Sequence, residues 1–346
     1  MDHHPYRYKG RFYNHQHDSI AARFWRMLKT SYEMRHHLKA CGGKKMLLAE
    51  AESLSPVWLV RDVAPVPSSD HLVVTWLGHA TVLIQVGGFN ILFDPVFGEI
   101  SRIVPRMMKF PWAISDIPML DAILLSHNHR DHADVPSLKK LLSHQPTVYV
   151  PQGDARLVRR LGYDRVTEMT WWQEAVVTKN GTPLTISFLP ASHWTGRSPF
   201  DLNASLWGSW MISYQGRNIY FAGDTAYDQH FAAIRQRYGE IDVAIVPVGP
   251  VEPHGLIADA HLDPHEAVEA FVDLGAKIFI PMHWGTFMFG TDRFLDPVHK
   301  LQRAWNERGE ILDDKKLHVV KCGQSYGFAS ASAASAYEKG EQISCL

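Results

Sequence analysis

Asp121, Ala122, Ile123, Leu124 and Leu125 run directly into Ser126, His127, Asn128, His129, Arg130, Asp131 and His132. The first five residues read as a short buried strand, apolar after its leading Asp. The next seven form an H-x-H-x-D-H cluster at that strand's exit. Four metal-ligand side chains lie within six residues, a spacing that suits two adjacent metal ions better than one. Neutral imidazole and carboxylate match zinc, and also iron or manganese. Two metals about 3.5–4 Å apart can activate water and clamp the charge of a hydrolytic transition state.

Strand signals continue on both sides of this stretch. Upstream, Leu72–Leu77 and Ala80–Val86 flank a turn at Gly78 and His79, and Gly87-Gly88 joins the second strand to Phe89–Phe93, which ends at Asp94-Pro95. Downstream, helices are expected over Val135–Ser143 and Gly153–Leu161. Strands are expected at Thr147–Val150, Val166–Met169, Ala175–Thr178, Leu184–Leu189, Ser209–Tyr214, Asn218–Ala222, Val243–Pro247 and Lys277–Pro281. A helix over Pro264–Asp273 carries Asp263 as N-cap, Pro264 at its first position and Glu266 in capping-box spacing. Further ligand-type residues, His193, Asp224 and His283, each follow an apolar strand. Strands dominate each half and helices follow in both, which predicts an α+β sandwich of two facing sheets with helices outside.

The chain has 346 residues, 46 % hydrophobic and 21 % charged, enough for one large domain or two modest ones. A net charge of -1 argues against nucleic acid as a partner. Cys41, Cys322 and Cys345 show no C-x-x-C spacing, so neither a disulfide framework nor a thiolate metal site is expected. No run approaches the roughly 18 apolar residues of a membrane span, and the N-terminus lacks the apolar core of a secretory signal. The expectation is a cytoplasmic protein or one held peripherally at a membrane.

The organisation expected is a basic arm and connector over 1–70, a main domain over 71–328 and a loose Ala/Ser-rich tail over 329–346. Residues 1–46 hold ten Lys/Arg and three Asp/Glu. Within them, Ser19–Lys29 reads as a helix with Phe24 and Trp25 on its apolar side, fit either to dock on the protein or to lie in a bilayer interface. Residues 47–70 read as a Pro/Ser-rich connector. A second basic and apolar segment, in which Arg102, Arg106 and Lys109 alternate with Ile103, Val104, Met107, Met108 and Phe110, could form a lip that receives acyl chains and headgroups.

Several segments together resemble the metallo-β-lactamase-fold hydrolases, and within them the N-acylphosphatidylethanolamine-hydrolysing phospholipase D family. They are Trp76–Thr81, Phe93–Pro95, Leu125–His132, Trp171-Trp172, His193-Trp194, Leu206–Trp210, Phe221–Thr225, His261–Pro264 and His283–Phe287. The resemblance spans residues 72 to about 290. The H-x-H-x-D-H motif marks only the superfamily; the Leu-Trp-Gly-Ser-Trp and His-Trp-Gly-Thr-Phe segments are far more specific.

The resemblance implies a four-layer αβ/βα sandwich with two zinc ions. His127, His129 and His193 would hold one zinc, Asp131, His132 and His283 the other, and Asp224 would bridge them. Asp131 is the ligand on which turnover is expected to depend most directly. His261 would donate a hydrogen bond to a phosphate or assist proton transfer. Asp94 would orient a ligand or its loop, and His79 reads as structural. The activity implied is hydrolysis of a glycerophospholipid to phosphatidate and an N-acylethanolamine or other alcohol, with peripheral membrane contact and a homodimer. The alternatives are a hydrolase of a soluble phosphodiester or lactone, and a non-catalytic, metal-bearing lipid-binding protein.

Overall fold

A computed structural model of the chain describes residues 4–14, 29, 32–61, 72–253 and 257–328. An N-terminal hairpin, β1 (Tyr6–Tyr8) and β2 (Arg11–Tyr13), precedes helix α1 (Lys44–Leu54). The first large sheet contains β3 (Leu72–Trp76), β4 (Val82–Val86), β5 (Phe89–Phe93), β6 (Ala122–Leu124), β7 (Thr147–Pro151), β8 (Val166–Met169) and the late strand β16 (Ser325–Phe328). The second contains β9 (Gln173–Lys179), β10 (Thr182–Leu189), β11 (Ser209–Tyr214), β12 (Arg217–Phe221), β13 (Ile241–Pro247), β14 (Ala276–Met282) and β15 (Lys316–Leu317). Their orders are β16-β3-β4-β5-β6-β7-β8 and β15-β14-β13-β12-β11-β10-β9. Both sheets change from antiparallel to parallel pairing, after β5 in the first and after β12 in the second.

Period-two alternation explains the layers. Val74, Trp76, Val82, Ile84, Ile91 and Phe93 face a core shared with the second sheet, while Leu83, Leu92, Ile123, Val148 and Val150 face a separate cluster. That outer cluster includes residues of helices α2 (Val135–Lys140) and α3 (Ala155–Arg159). Helices α4 (His230–Tyr238), α5 (Pro264–Leu274) and α6 (Asp296–Glu307) belong with the second sheet, α5 packing on β13 and β14. The result is helices, sheet, sheet, helices. Phe93 and Phe221 meet between the sheets with ring centroids 4.6 Å apart, just ahead of Asp94 and Asp224.

The capping box of α5 forms in both directions: Glu266 N donates to Asp263 Oδ1 at 2.8 Å, and Asp263 N donates to Glu266 Oε2 at 3.0 Å. The stretch expected as a connector differs from its reading. Residues 47–54 continue α1, and Leu47 and Ala51 are buried. Leu59 then bridges to Cys322. Short-range Pro/Ser composition gave way here to an apolar i, i+4 pair that finds the core. Phe24, Trp25, most of the expected Ser19–Lys29 helix and the 329–346 tail lie outside the described residues. Among the described residues no helix is long and apolar enough to cross a membrane.

Candidate metal centre

The site is assembled from strand exits on one rim. Asp94 follows β5, Ser126–His132 follow β6, His193 follows β10, Asp224 follows β12 and His283 follows β14. Rigid sheets therefore fix the roots of these side chains, while the connecting turns set their aim. Gly223 shows how close the turns approach. Its φ is +62°, and a Cβ there would lie 2.7 Å from Ser126 Cβ, so only glycine lets the Asp224 turn meet the histidine loop. His79, Asp94 and His283 adopt φ of +52°, +39° and +64°, a strained region for non-glycine residues that recurs at functional sites.

Hydrogen bonds orient the imidazoles. His132 Nδ1 donates to Asp94 Oδ2 at 2.8 Å, and His193 Nδ1 donates to the Ala260 carbonyl at 2.8 Å. Ser126 Oγ donates to Asp94 Oδ2 at 2.5 Å, leaving its lone pair for His127 Nδ1–H at 2.9 Å. In His127 and His193 the proton is thereby placed on Nδ1 and Nε2 is a bare lone pair aimed inward, while His132 Nε2 faces Asp224 Oδ2 at 3.2 Å.

Those lone pairs converge. His127 Nε2 lies 2.9 Å from His129 Nδ1, which lies 3.3 Å from His193 Nε2. A proton can serve one pair of these nitrogens but not all three, whereas nitrogens bound to one tetrahedral zinc at about 2.0–2.1 Å sit roughly 3.3 Å apart. Beside them, donor atoms of His79, Asp131, His132 and His283 lie within 4.8 Å of one another. Asp224 stands between the groups: Oδ2 is 3.2 Å from His132 Nε2 and 3.8 Å from His193 Nε2, and Oδ1 is 3.1 Å from His283 Nε2. His261 Nδ1 is 3.7 Å from Asp224 Oδ2. Buried atoms without a hydrogen-bond partner gather here, namely His129 Nε2, His132 Nε2, Asp224 Oδ1, His261 Nδ1 and both His283 ring nitrogens. Orphaned polar atoms are rare in folded proteins and call for an unseen partner such as an ion.

The electrostatics agree. Burial, with help from neighbouring histidines, pushes His127 and His193 well below the usual imidazole range. Burial takes His79 down to about 3, and His129 and His261 down to about 4. Burial alone would raise Asp131 and Asp224, but His132 and other imidazoles outweigh it and hold both carboxylates low. His132 is the exception: burial opposes its charge, yet Asp224 and Asp131 hold it well above the usual value. Ionised carboxylates among imidazoles that resist protonation make a cation site.

Tryptophans hold the rim. Trp76 Nε1 donates to the His79 carbonyl at 2.8 Å, Trp76 stacks on Trp284 with centroids 5.0 Å apart, and Trp207 Nε1 donates to the Ala191 carbonyl at 3.0 Å. The structure thus gathers His127, His129, Asp131, His132, His193, Asp224, His261 and His283, with Asp94 behind them. It also adds His79 to the cluster, through Nε2 at 3.0 Å from Asp131 Oδ2 and a ring 3.9 Å from His283. The signal available was its place in the β3–β4 turn, on the same rim.

A pocket of about 350 Å³ opens over these residues, lined also by Ile100, Val104, Arg130, Trp194, Arg197 and Phe289. The expected lip needs correction. Arg106 is spent inside the fold, donating to the carbonyls of Gly98, Met108 and Val96 with its guanidinium 4.4 Å from the Phe287 ring centroid. Met108 is 1 % exposed, and Met107 packs against the core. Arg102 stays exposed, and Ile103 is 83 % exposed. On the loop that follows Gly196 and Arg197 of the pocket lining, Phe200 is 88 % exposed, a residue the sequence reading passed over.

Fold and site together define a metal-dependent hydrolase of the metallo-β-lactamase superfamily, and the model of the beta-lactamase superfamily domain matches residues 89–284. Among solved structures, the chain is similar to Igni18, a metallo hydrolase of Ignicoccus hospitalis (TM-score 0.57, 20 % identity, 75 % of this chain and 99 % of that one). It is also similar to an isothiocyanate hydrolase from Delia radicum gut bacteria (TM-score 0.56, 19 % identity, 75 % and 100 %). Within the superfamily, the chain belongs to the N-acyl-phosphatidylethanolamine-hydrolysing phospholipase D family. It is 34 % identical over 271 residues to N-acyl-phosphatidylethanolamine-hydrolyzing phospholipase D 1 of Caenorhabditis elegans, covering 74 % of this chain and 76 % of the relative. It is 37 % identical over 236 residues to the mitochondrial enzyme of that name from Saccharomyces cerevisiae, covering 66 % of this chain but only 50 % of that longer relative.

Proposed function

We propose that the chain is a zinc-dependent phosphodiesterase of the phospholipase D type. Its substrate would be N-acylphosphatidylethanolamine or a related glycerophospholipid, and its products phosphatidate and an N-acylethanolamine or other alcohol. The observation that carries this reading is the convergence of imidazole nitrogens with Asp131 and Asp224 in a pocket also lined by the exposed Arg130. His127, His129 and His193 would hold one zinc, Asp131, His132 and His283 the other, and Asp224 would lie between. When bound, the metal pair supplies an activated water near neutral pH and neutralises phosphate oxygens.

The chain's own groups do the rest. Asp94 fixes the His132 tautomer and, through Ser126, the His127 tautomer. His261 is neutral at pH 7, because burial takes it down to about 4, so its ring N–H can donate to a phosphoryl oxygen without bringing a charge. Arg130, exposed and lining the pocket, would meet an anionic phosphodiester, while Arg197 donates to the carbonyls of Asn128 and Ala133 at 2.9 and 2.8 Å and braces the histidine loop. Ile103 and Phe200 are exposed on two separate loops that also contribute to the pocket lining, and such apolar side chains suit contact with a lipid surface, the source of such a substrate.

Mass spectrometry of products from mixed phospholipid vesicles tests the reading, with Asp131→Asn as control. Phosphatidate plus N-acylethanolamine, absent in the control, is the expected result. Two metals bound without lipid products would redirect the assignment to a soluble phosphodiester or a lactone.

A further inference from the structure

The N-terminal hairpin reaches into the metal centre. Asn14, the residue after β2, brackets the peptide of His193: its Nδ2 donates to the His193 carbonyl at 3.1 Å, and its Oδ1 accepts from the His193 N–H at 3.3 Å. The partners are 179 residues apart in sequence. Among the described residues, no other group bonds the His193 main chain. The hairpin itself is anchored. Phe12 is buried in the inter-sheet core, and its N–H donates to the Asn203 carbonyl at 2.8 Å. Arg11 donates to the carbonyls of Phe200, at 3.0 Å, and Leu202. Asn203 in turn closes the 195–203 loop through Thr195, by N–H to carbonyl at 2.8 Å and by Oδ1 from Thr195 N at 3.2 Å.

From this geometry we propose that Asn14 is a positioning residue for the metal centre, holding the backbone of His193 so that its ring meets those of His127 and His129. His193 lies four residues past the end of β10, beyond the reach of the sheet's own ladder. The chain on either side is held elsewhere: Ser192 N donates to Thr225 Oγ1 at 2.9 Å, the Ser192 carbonyl accepts from Ala226 N at 2.8 Å, and Thr195 is bonded to Asn203 and Ser205. His193 itself is held by one side-chain bond, Nδ1 to the Ala260 carbonyl, and by the two-point amide bracket, which fixes its N–H and carbonyl as a rung of a ladder would. The hairpin therefore acts as a structural part of the site rather than as a detached arm. The inference rests on His193 being a metal ligand.

The full chain is loaded with zinc and challenged with an excess of a chromogenic chelator, and metal release is timed. Asn14→Leu keeps the approximate volume but removes both bonds. One of the two metals is expected to leave about 10- to 100-fold faster than in the parent, the range found when groups that orient ligands are removed. Cobalt-loaded Asn14→Leu should also show altered visible absorption bands. Lys9→Gly, at a hairpin-turn position whose φ of +47° suits glycine, should release metal at the parent rate. Asn14→Ala provides a second variant if the larger side chain lowers the melting temperature. Folded Asn14 variants that match the parent in release rate and cobalt spectrum would overturn the proposal. A parent that binds no metal would instead sink the metal reading itself.

Discussion

His132 Nδ1 donates to Asp94 Oδ2 at 2.8 Å, and neither side chain is exposed to solvent. Asp94 also accepts from Ser126 N at 2.8 Å and from Ser126 Oγ at 2.5 Å. Burial raises its pKa, and the His132 and Ser126 bonds pull it back. One carboxylate thus sets the Nδ1 protons of two imidazoles from the histidine cluster. Asp94→Asn replaces one acceptor oxygen with a donor and leaves at least one of these buried groups unpaired, at a cost of about 1–3 kcal/mol. Metal affinity should fall about 10- to 100-fold, measured by competition with a chelator, with a lower urea midpoint. Parent-like affinity would show that the ligand rings are oriented by other means.

His261 is separable from the ligands by experiment. It faces Asp224 and the pocket, yet its Nδ1 has no hydrogen-bond partner. If it acts on substrate, His261→Ala should keep two metals per chain while turnover drops about 10²- to 10⁴-fold, the range for a positioned proton-transfer group. Loss of one metal from the variant, measured by elemental analysis, would make it a ligand instead.

Asp154 gives the fold a pH signature. Burial pushes its carboxyl up to about 7, against the pull of a hydrogen bond from Asn128 Nδ2 at 3.0 Å. The folded state therefore holds the proton more tightly than the unfolded chain, whose value is near 3.8. Its contribution to stability is complete below about pH 4 and is lost as pH rises through about 7. Asp154→Asn keeps an acceptor for Asn128 and does not titrate. The parent should lose stability relative to this variant between about pH 4 and about pH 7 and level off above that, read from urea unfolding. An unchanged difference between the two proteins would show that Asp154 is ionised throughout.

The sequence exposed the rim more fully than the supports behind it. The H-x-H-x-D-H spacing and the apolar runs before His193, Asp224 and His283 are local signals, and the strands they announce lie where expected. The β1–β2 hairpin has no such signal, because its value lies in bonds between Asn14 and a residue far along the chain. Helices α4 and α6 carry readable stripes, Phe231, Ile234 and Tyr238 in one and Val298, Leu301 and Ala304 in the other, but polar residues dilute both. Arg106 shows the opposite failure. Composition suggested a headgroup contact, and only tertiary structure reveals three carbonyls waiting for its guanidinium.

Ile103 and Phe200 offer the sharpest test of the lipid reading. Each is almost fully exposed, and each sits on a loop that also lines the pocket, through Ile100, Ser101 and Val104 on one side and Gly196 and Arg197 on the other. Large apolar side chains gain about 1.5–3 kcal/mol on full burial, so partial insertion of both into a bilayer should strengthen vesicle binding at least about tenfold. Ile103→Ser with Phe200→Ser should weaken partitioning onto anionic vesicles in a sedimentation assay by that factor. Hydrolysis of detergent-dispersed lipid should persist, since neither residue touches the donor cluster. Arg102, exposed beside Ile103, adds a cation that anionic headgroups attract, so added salt should weaken parent binding. Equal partitioning of parent and double variant would remove these two residues from any membrane contact and favour a substrate that reaches the pocket from solution.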